Sequence, residues 1–373
     1  IYQAKTTIII DTKTSTLSRT INAFLVPHIE MLIKEGHKVD CACNIDHDLN
    51  KVIENKCENI YNLPFSRNPL DPKNLKAYKM LLDIQKKNNY DIVHVHTPIA
   101  AIYGRLLKLK FPNIKTIYTV HGFHFYKGAS KLNWIIYYPI EKFMASLTDV
   151  IITMNEEDYN RALTFNIDKV YKVNGVGLDL NAYKSNSTSL AQYREEFGLK
   201  EEDFVIAMIA EVNKNKNHKQ IIDAIEHLNK KDIKLICAGE GILLDSIKEE
   251  IEKRNLQDNI KMLGFRKDID KIISVCDIGV LMSYREGLPR NIMELMSAKK
   301  TVIGTNIRGI KDLIEDEKTG YLVEVGDYKT TANKIEKLYN NKNLLKELSD
   351  NCYCFIKKYD INNVLKDLKA IYS

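Results

Sequence analysis

At 373 residues, 45% apolar and 28% charged, the chain is too long for one ordinary hydrophobic core and too apolar for a disordered segment, so two globular domains are expected. A net charge of +6 with no accompanying nucleic-acid-binding motif sets DNA and RNA recognition aside. Seven cysteines include the pairs Cys41-x-Cys43 and Cys352-x-Cys354, too closely spaced for a zinc knuckle, and they read as reduced thiols of a cytosolic protein.

Short apolar runs alternate with amphipathic stretches from end to end, the pattern of parallel sheets flanked by helices. In the first half, strands are predicted at 6–11, 38–42, 92–95, 115–120, 150–153 and 170–173, with helical periodicity at 22–34 and 75–86. Segment 102–145 carries Arg105, Lys108, Lys110, Lys115, Lys127, Lys131 and Lys142 against Glu141 alone. Phe123, Phe125, Tyr126, Trp134, Tyr137 and Tyr138 are interleaved with these charges. A basic, aromatic surface of that kind suits a membrane face with anionic lipid or an acceptor bearing a diphosphate; the alternative is a solvated helix beside a buried aromatic cluster. No signal-peptide pattern opens the chain, and the run 134–140 is far shorter than the roughly 20 residues of a membrane span.

Gly175 and Gly177, in NGVGLD at 174–179, permit a hinge where the first half gives way to the second. Strands follow at 204–210, 233–238, 260–263, 278–283, 301–304 and 321–323, then helices at 344–358 and 361–372. The predicted organisation is an α/β chain of two Rossmann-like domains, 1–175 and 176–355, facing across a cleft. A final segment, 356–373, is expected to pack back on the first domain.

Most of the chemistry is concentrated in YREGLPRNIMEL, residues 284–295, where Glu286 and Glu294 stand eight apart between a strand and a helix. The backbone N–H groups of Arg290, Asn291 and Ile292 would open that helix, and unpaired donors at the positive end of a helix dipole favour an anion. Two acids beside an anion site suit a sugar nucleotide, whose diphosphate takes the helix end and whose hydroxyls need acceptors. The triplets Asp46-His-Asp48 and Asp268-Ile-Asp270 are discounted as metal sites, one lying in a polar loop and the other opening a helix.

The Glu-x7-Glu pattern is followed by TNIRG at 305–309 and TGYLV at 319–323. It is preceded by DIVHVHTP at 91–98, TVHGFHF at 119–125, WIIYYPIE at 134–141 and ITMNEEDY at 152–159. Together these resemble family 4 glycosyltransferases of the GT-B type, and within them the EpsD-like branch of bacterial exopolysaccharide and capsule enzymes. The resemblance implies a GT-B fold and transfer of a sugar, a hexose or HexNAc, from a UDP-sugar to an undecaprenyl-diphosphate-linked saccharide with retention of configuration. It implies no metal or other cofactor, and a location at the cytoplasmic face of the membrane as a peripheral protein. Carried over residue by residue, Glu286 orients the donor sugar and Glu294 holds the ribose. Gly287 and Leu288 offer backbone amides, Lys216 neutralises the diphosphate, and His121 faces the reacting carbon from the first domain. His94, His96 and His124 read as structural. Arg266 and Arg308 join the expected donor set, and glycines 239, 241 and 264 belong to loops where relatives read the base. One departure stands out: Glu211 occupies the position of the usual phosphate-binding Arg. A carboxylate there would repel a diphosphate, so it either turns away to brace Lys214 or Lys216, or a cation such as Arg290, Arg308 or Arg285 fills the gap, with Arg290 favoured. The loop 12–19 lacks the paired glycines of many relatives and is assigned to acceptor contact. A UDP-sugar 2-epimerase or a non-catalytic scaffold subunit of the same fold are the rival readings; the Glu-x7-Glu pattern argues against the first and the full set of site residues against the second.

Overall fold

Runs of β-branched residues between amphipathic helices resolve into two all-parallel sheets in the computed structural model, which describes residues 6–10, 24–45, 48–66, 68–183 and 190–372. The proposed acceptor loop 12–19, residues 1–4 and most of the 46–48 triplet lie outside the described residues. The chain forms two compact units, Leu178–Asp360 and a composite of Ile1–Gly177 with Ile361–Ser373.

The first unit orders its strands β3-β2-β1-β4-β5-β6-β7. They are β1 (Thr6–Ile10), β2 (Lys38–Cys43), β3 (Ile60–Asn62), β4 (Ile92–His96), β5 (Lys115–Val120), β6 (Val150–Thr153) and β7 (Val170–Lys172). The second unit orders β10-β9-β8-β11-β12-β13 from β8 (Phe204–Ile209), β9 (Ile233–Ala238), β10 (Ile260–Gly264), β11 (Ile278–Leu281), β12 (Thr301–Thr305) and β13 (Gly320–Val323). Every strand pairing is parallel. Each sheet therefore reverses its strand order once, between β1 and β4 in the first unit and between β8 and β11 in the second. Open α/β sheets bind ligands at the carboxyl ends of the strands flanking such a reversal.

Sequence periodicity missed β3, whose three residues are too few to show alternation. The strand expected at 278–283 stops at Leu281. Beyond it the chain leaves the ladder, since the Ser283 carbonyl accepts from Thr305 Oγ1 at 2.7 Å and Tyr284 N–H donates to the Asn215 carbonyl at 2.8 Å. Gly279 of β11 lets the helix Arg290–Ser297 lie close, because a β-carbon there would fall 2.3 Å from Leu295 Cδ1.

The helix Ile361–Tyr372 belongs to the first unit although all of the second precedes it in sequence. Val364, Leu368, Ile371 and Tyr372 form its buried stripe. Lys369 pairs with Glu35 at 2.7 Å, and Lys115 Nζ donates to the Ile371 carbonyl at 2.9 Å. Gly177, at φ +80°, accommodates the start of this helix: a β-carbon would fall 2.9 Å from Ile361 Cα.

The expected basic, aromatic surface divides differently. Phe123 and Phe125 are buried and stacked at 4.8 Å, and Trp134 and Tyr138 of the helix Lys131–Ala145 close on Phe125 at 5.6 and 5.5 Å. Glu141 is buried as well and pairs with Arg105 at 2.9 Å. Phe123, Phe125, Trp134, Tyr137 and Tyr138 thus build or pad the core, as in the alternative of a helix beside a buried aromatic cluster, and what the helix turns outward is apolar side chains, Phe143 among them, with Lys131 and Lys142.

Candidate active site

In the second unit two loops leave the sheet at its reversal point, one after β8 and one after β11. Asn213 Oδ1 accepts from Lys216 N–H at 3.1 Å and fixes a 3-10 turn over Lys214–Lys216. Asn215 then stitches the loops together, its carbonyl accepting from Tyr284 N–H and its side-chain amide donating to the Arg285 carbonyl at 3.0 Å. This brings Lys216 Nζ to 2.5 Å from Glu286 Oε1, with both side chains largely shielded from water. Lys216 therefore pairs with Glu286 and not with Glu211, which is exposed and makes no ion pair among the described residues. Arg285 is exposed too.

The loop after β12 supports the same group from the other side. Arg308, buried, donates from Nε to the Glu286 carbonyl at 3.1 Å. Gly309, at φ +80°, lies so close that a β-carbon would fall 2.3 Å from the Gly287 carbonyl oxygen. Leu288 packs against the core of the unit. The loop carrying Glu286, Gly287 and Leu288 is thus held on both flanks, which keeps its charges in place before any ligand arrives.

The helix Arg290–Ser297 starts at Pro289. Asn291 Nδ2 donates to the Ile209 carbonyl at the end of β8, at 2.6 Å, while its Oδ1 accepts from Ile292 N–H at 2.9 Å. In this state the third of the expected anion donors is engaged by the neighbouring side chain. Arg290 Nε reaches Glu294 Oε1 at 2.9 Å, and the Tyr183 hydroxyl donates to the same oxygen at 2.7 Å. Burial raises the Glu294 carboxyl above the usual carboxylate range, with Arg290 and Tyr183 opposing the shift. Tyr183 had no sequence signal, being 111 residues from its partner. His218, which follows the Lys216 turn and its Asn217 link, was also missed; it is buried, neither ring nitrogen has a hydrogen-bond partner among the described residues, and burial followed by the Lys216 charge lowers its pKa to about 4.

Arg266 stands apart from this group. It follows β10, the edge strand, and its guanidinium is held by Asp268 at 2.6 Å and Glu196 at 3.0 Å. Two carboxylates already satisfy the charge expected to meet the donor, and the same contact commits Asp268 to a cation of the protein. Gly239 and Gly241 serve loop packing: β-carbons there would fall 1.9 Å from the Ala210 oxygen and 2.2 Å from the Val212 oxygen.

In the first unit, histidines cluster at the carboxyl ends of β4 and β5. His94 bonds the Tyr372 hydroxyl through Nδ1 and Thr119 Oγ1 through Nε2, the latter at 2.7 Å. His96 Nδ1 lies 3.1 Å from His121 Nε2, so one of these nitrogens carries the proton and the other accepts it. His121 is the more exposed of the pair. His28 reaches the Val176 carbonyl at 3.0 Å. Burial is the main cause that holds these imidazoles neutral, lowering His28 to about 4, His94 to about 3, and His96 well below its ordinary value.

A pH prediction follows for the first unit. An imidazole with a lowered pKa in the folded state binds its proton preferentially in the unfolded one, so its contribution to stability is complete above about 6.5 and is lost as the pH falls toward about 4. The single tryptophan, Trp134, lies in this unit and reports its unfolding. The urea midpoint read from Trp134 fluorescence should fall between pH ~7 and ~5; a midpoint that stays flat there would show that the histidines do not control acid stability.

Comparison with known proteins gives this arrangement its kin. Residues 25–180 match the family model described as Glycosyltransferase Family 4, and residues 191–353 match that of Glycosyl transferases group 1. A Bacillus subtilis (strain 168) protein named as a glycosyltransferase, EpsD, is 34% identical over 366 residues, spanning 96% of this chain and 95% of its own. An Escherichia coli protein named UDP-Gal:alpha-D-GlcNAc-diphosphoundecaprenol alpha-1,3-galactosyltransferase is 28% identical, spanning 87% of this chain and 85% of its own. The crystal structure of Anabaena HepE in complex with UDP superposes with a TM-score of 0.80 at 17% identity, over 98% of this chain and 99% of that one, a likeness of fold. Two Rossmann-like units, a Lys216–Glu286 and Arg290–Glu294 group at the reversal point of the second, and a relative matched along nearly the whole length agree: the chain belongs to the family 4, group 1 glycosyltransferases and has their GT-B fold.

Proposed function

We propose that the protein moves one hexose or HexNAc from a UDP-sugar to an undecaprenyl-diphosphate-linked saccharide, with retention of configuration, during assembly of a bacterial exopolysaccharide or capsule. The observation that carries this reading is the Lys216–Glu286 pair seated beside the start of the helix Arg290–Ser297 at the carboxyl ends of β8 and β11. A diphosphate can exchange for Glu286 as the partner of Lys216, which frees the carboxylate to accept from hydroxyls of the donor sugar. Arg290 supplies the second positive charge that Glu211 cannot, and Glu294, beside Tyr183, accepts from the ribose. Fixed cations and a helix start stabilise the charge that develops on the departing UDP, so a bound metal is not required. The leaving diphosphate is the nearest base to the incoming hydroxyl, and in this reading His121 is the hydrogen-bond donor to the sugar. Support for UDP comes from the nucleotide bound in HepE, and support for the acceptor from the diphosphoundecaprenol in the name of the E. coli relative.

Retention is tested by the anomeric proton coupling of the product made from an α-linked UDP-sugar. An α-linkage is expected, and a β-linked product would overturn the retaining course while leaving the transferase reading intact.

A further inference from the structure

The helix Lys131–Ala145 carries its apolar stripe on the wrong side for a soluble protein. Leu132, Ile135, Ile136, Pro139, Ile140 and Phe143 follow each other at spacings of three, one, three, one and three, the period of one helix face. All six are exposed, Leu132 at 63%, Ile135 at 71% and Phe143 at 62%. The opposite face is already filled, with Glu141, Met144 and Ala145 buried and Trp134 and Tyr138 packed on Phe125. The outward stripe is therefore surplus to the core. A contiguous exposed patch of large apolar side chains is not tolerated for nothing in a soluble domain and marks a surface that meets an apolar partner.

Charge identifies the partner. Lys131 and Lys142 are exposed along one margin of the stripe, and Lys127 is exposed just before the helix. Glu141, the helix's one acid, is buried against Arg105 and offers nothing to the outside. An apolar face bordered by lysines, with no exposed carboxylate on the helix, has the composition of one that lies in the plane of an anionic bilayer, side chains in the acyl boundary and ammonium groups among the headgroups. Pro139 within the helix does not interrupt the stripe. Among the described residues no helix is long and apolar enough to cross a membrane, so surface docking is the mode open to this helix.

We propose that the outer face of the helix Lys131–Ala145 docks the protein on an anionic lipid surface, Leu132, Ile135, Ile136 and Phe143 entering the bilayer boundary and Lys127, Lys131 and Lys142 meeting the headgroups. The proposal deepens the reading of a lipid-linked acceptor and rests on it for its purpose, since an acceptor anchored in a bilayer is reached most readily by an enzyme that rests there.

The test is co-sedimentation of the full chain with phosphatidylcholine vesicles containing about 30% phosphatidylglycerol, with pure phosphatidylcholine vesicles alongside. The wild-type protein should bind the anionic vesicles, and Ile135→Glu with Phe143→Glu should lower its partition at least about tenfold. Leu132→Gln with Ile135→Gln, a milder change on the same stripe, should do so in part. Lys131→Glu with Lys142→Glu should remove the preference for phosphatidylglycerol. Equal binding by the wild type and the glutamate variant would overturn the proposal, as would a wild type that ignores vesicles while it turns over acceptor dispersed in detergent, a result that keeps the transferase. A wild-type dimer that the glutamate variant converts to monomer, with neither binding vesicles, would assign the stripe to a second copy and also overturn it. Vesicle binding lost in the variant without any sugar transfer by the wild type would uphold the docking face and sink the transferase.

Discussion

Glu141→Ala should destabilise the first unit by about 3–5 kcal/mol, the range seen when one member of a buried ion pair is removed. Arg105 is wholly buried. Its Nη1 donates to Glu141 at 2.9 Å and its Nε to the Ala101 carbonyl at 2.8 Å, and its guanidinium lies 4.2 Å from the centre of the Tyr118 ring. Its Nη2 has no hydrogen-bond partner among the described residues, so little slack exists to absorb the loss of the carboxylate. Alanine leaves an uncompensated cation inside the unit, a worse state than the absence of the pair. The double replacement Arg105→Met with Glu141→Leu should recover most of the loss, because two well-packed apolar side chains replace a buried pair at little or no cost. Urea unfolding followed by Trp134, which stands on the same helix as Glu141, measures both. A single variant as stable as the wild type would mean that water reaches the pair and that the burial described here is wrong.

Lys216→Ala should lower kcat/KM by about 10²–10³-fold, the scale of removing one preorganised group that stabilises developing negative charge. The effect has two parts. The variant loses a cation for the departing diphosphate, and it leaves Glu286 without its partner, so the donor meets a carboxylate. The second part is separable: Lys216→Ala combined with Glu286→Gln should bind UDP more tightly than Lys216→Ala alone, as measured by calorimetric titration, although turnover stays low because the sugar has lost its acceptor. UDP affinity unchanged in Lys216→Ala would remove the diphosphate from this position.

Apart from β3, the strands were legible because each is a short apolar run between polar segments, and β5, β6 and β9 follow the sequence pattern at both ends. The site was legible where its residues are close in sequence: Glu286, Arg290 and Glu294 lie on one turn and one helix. Partners from distant segments left no local trace. Tyr183 reaches Glu294, and Tyr372 reaches His94 across 278 residues, through the tertiary fold alone. The segment 102–145 shows why periodicity does not give direction. Its apolar residues at 132, 135, 136, 139 and 143 have the spacing of a core stripe, and Trp134, Tyr138 and Glu141 resemble an outer face. The structure takes the alternative of a buried aromatic cluster, since Phe125 and Arg105 supply inward partners for the second set. Arg266 also has partners that the sequence did not announce: Asp268 and Glu196 sit within reach of its guanidinium.

Nucleotide release from a panel of UDP- and GDP-sugars, with and without membrane extract carrying undecaprenyl-diphosphate-linked saccharide, separates a transferase from the other activities open to this fold. UDP should be released from one UDP-sugar, and only when the acceptor is present. UDP that binds with no donor consumed would make the chain a non-catalytic member of its fold, and a sugar altered with no UDP released would make it an epimerase; either result contradicts the transferase proposed here.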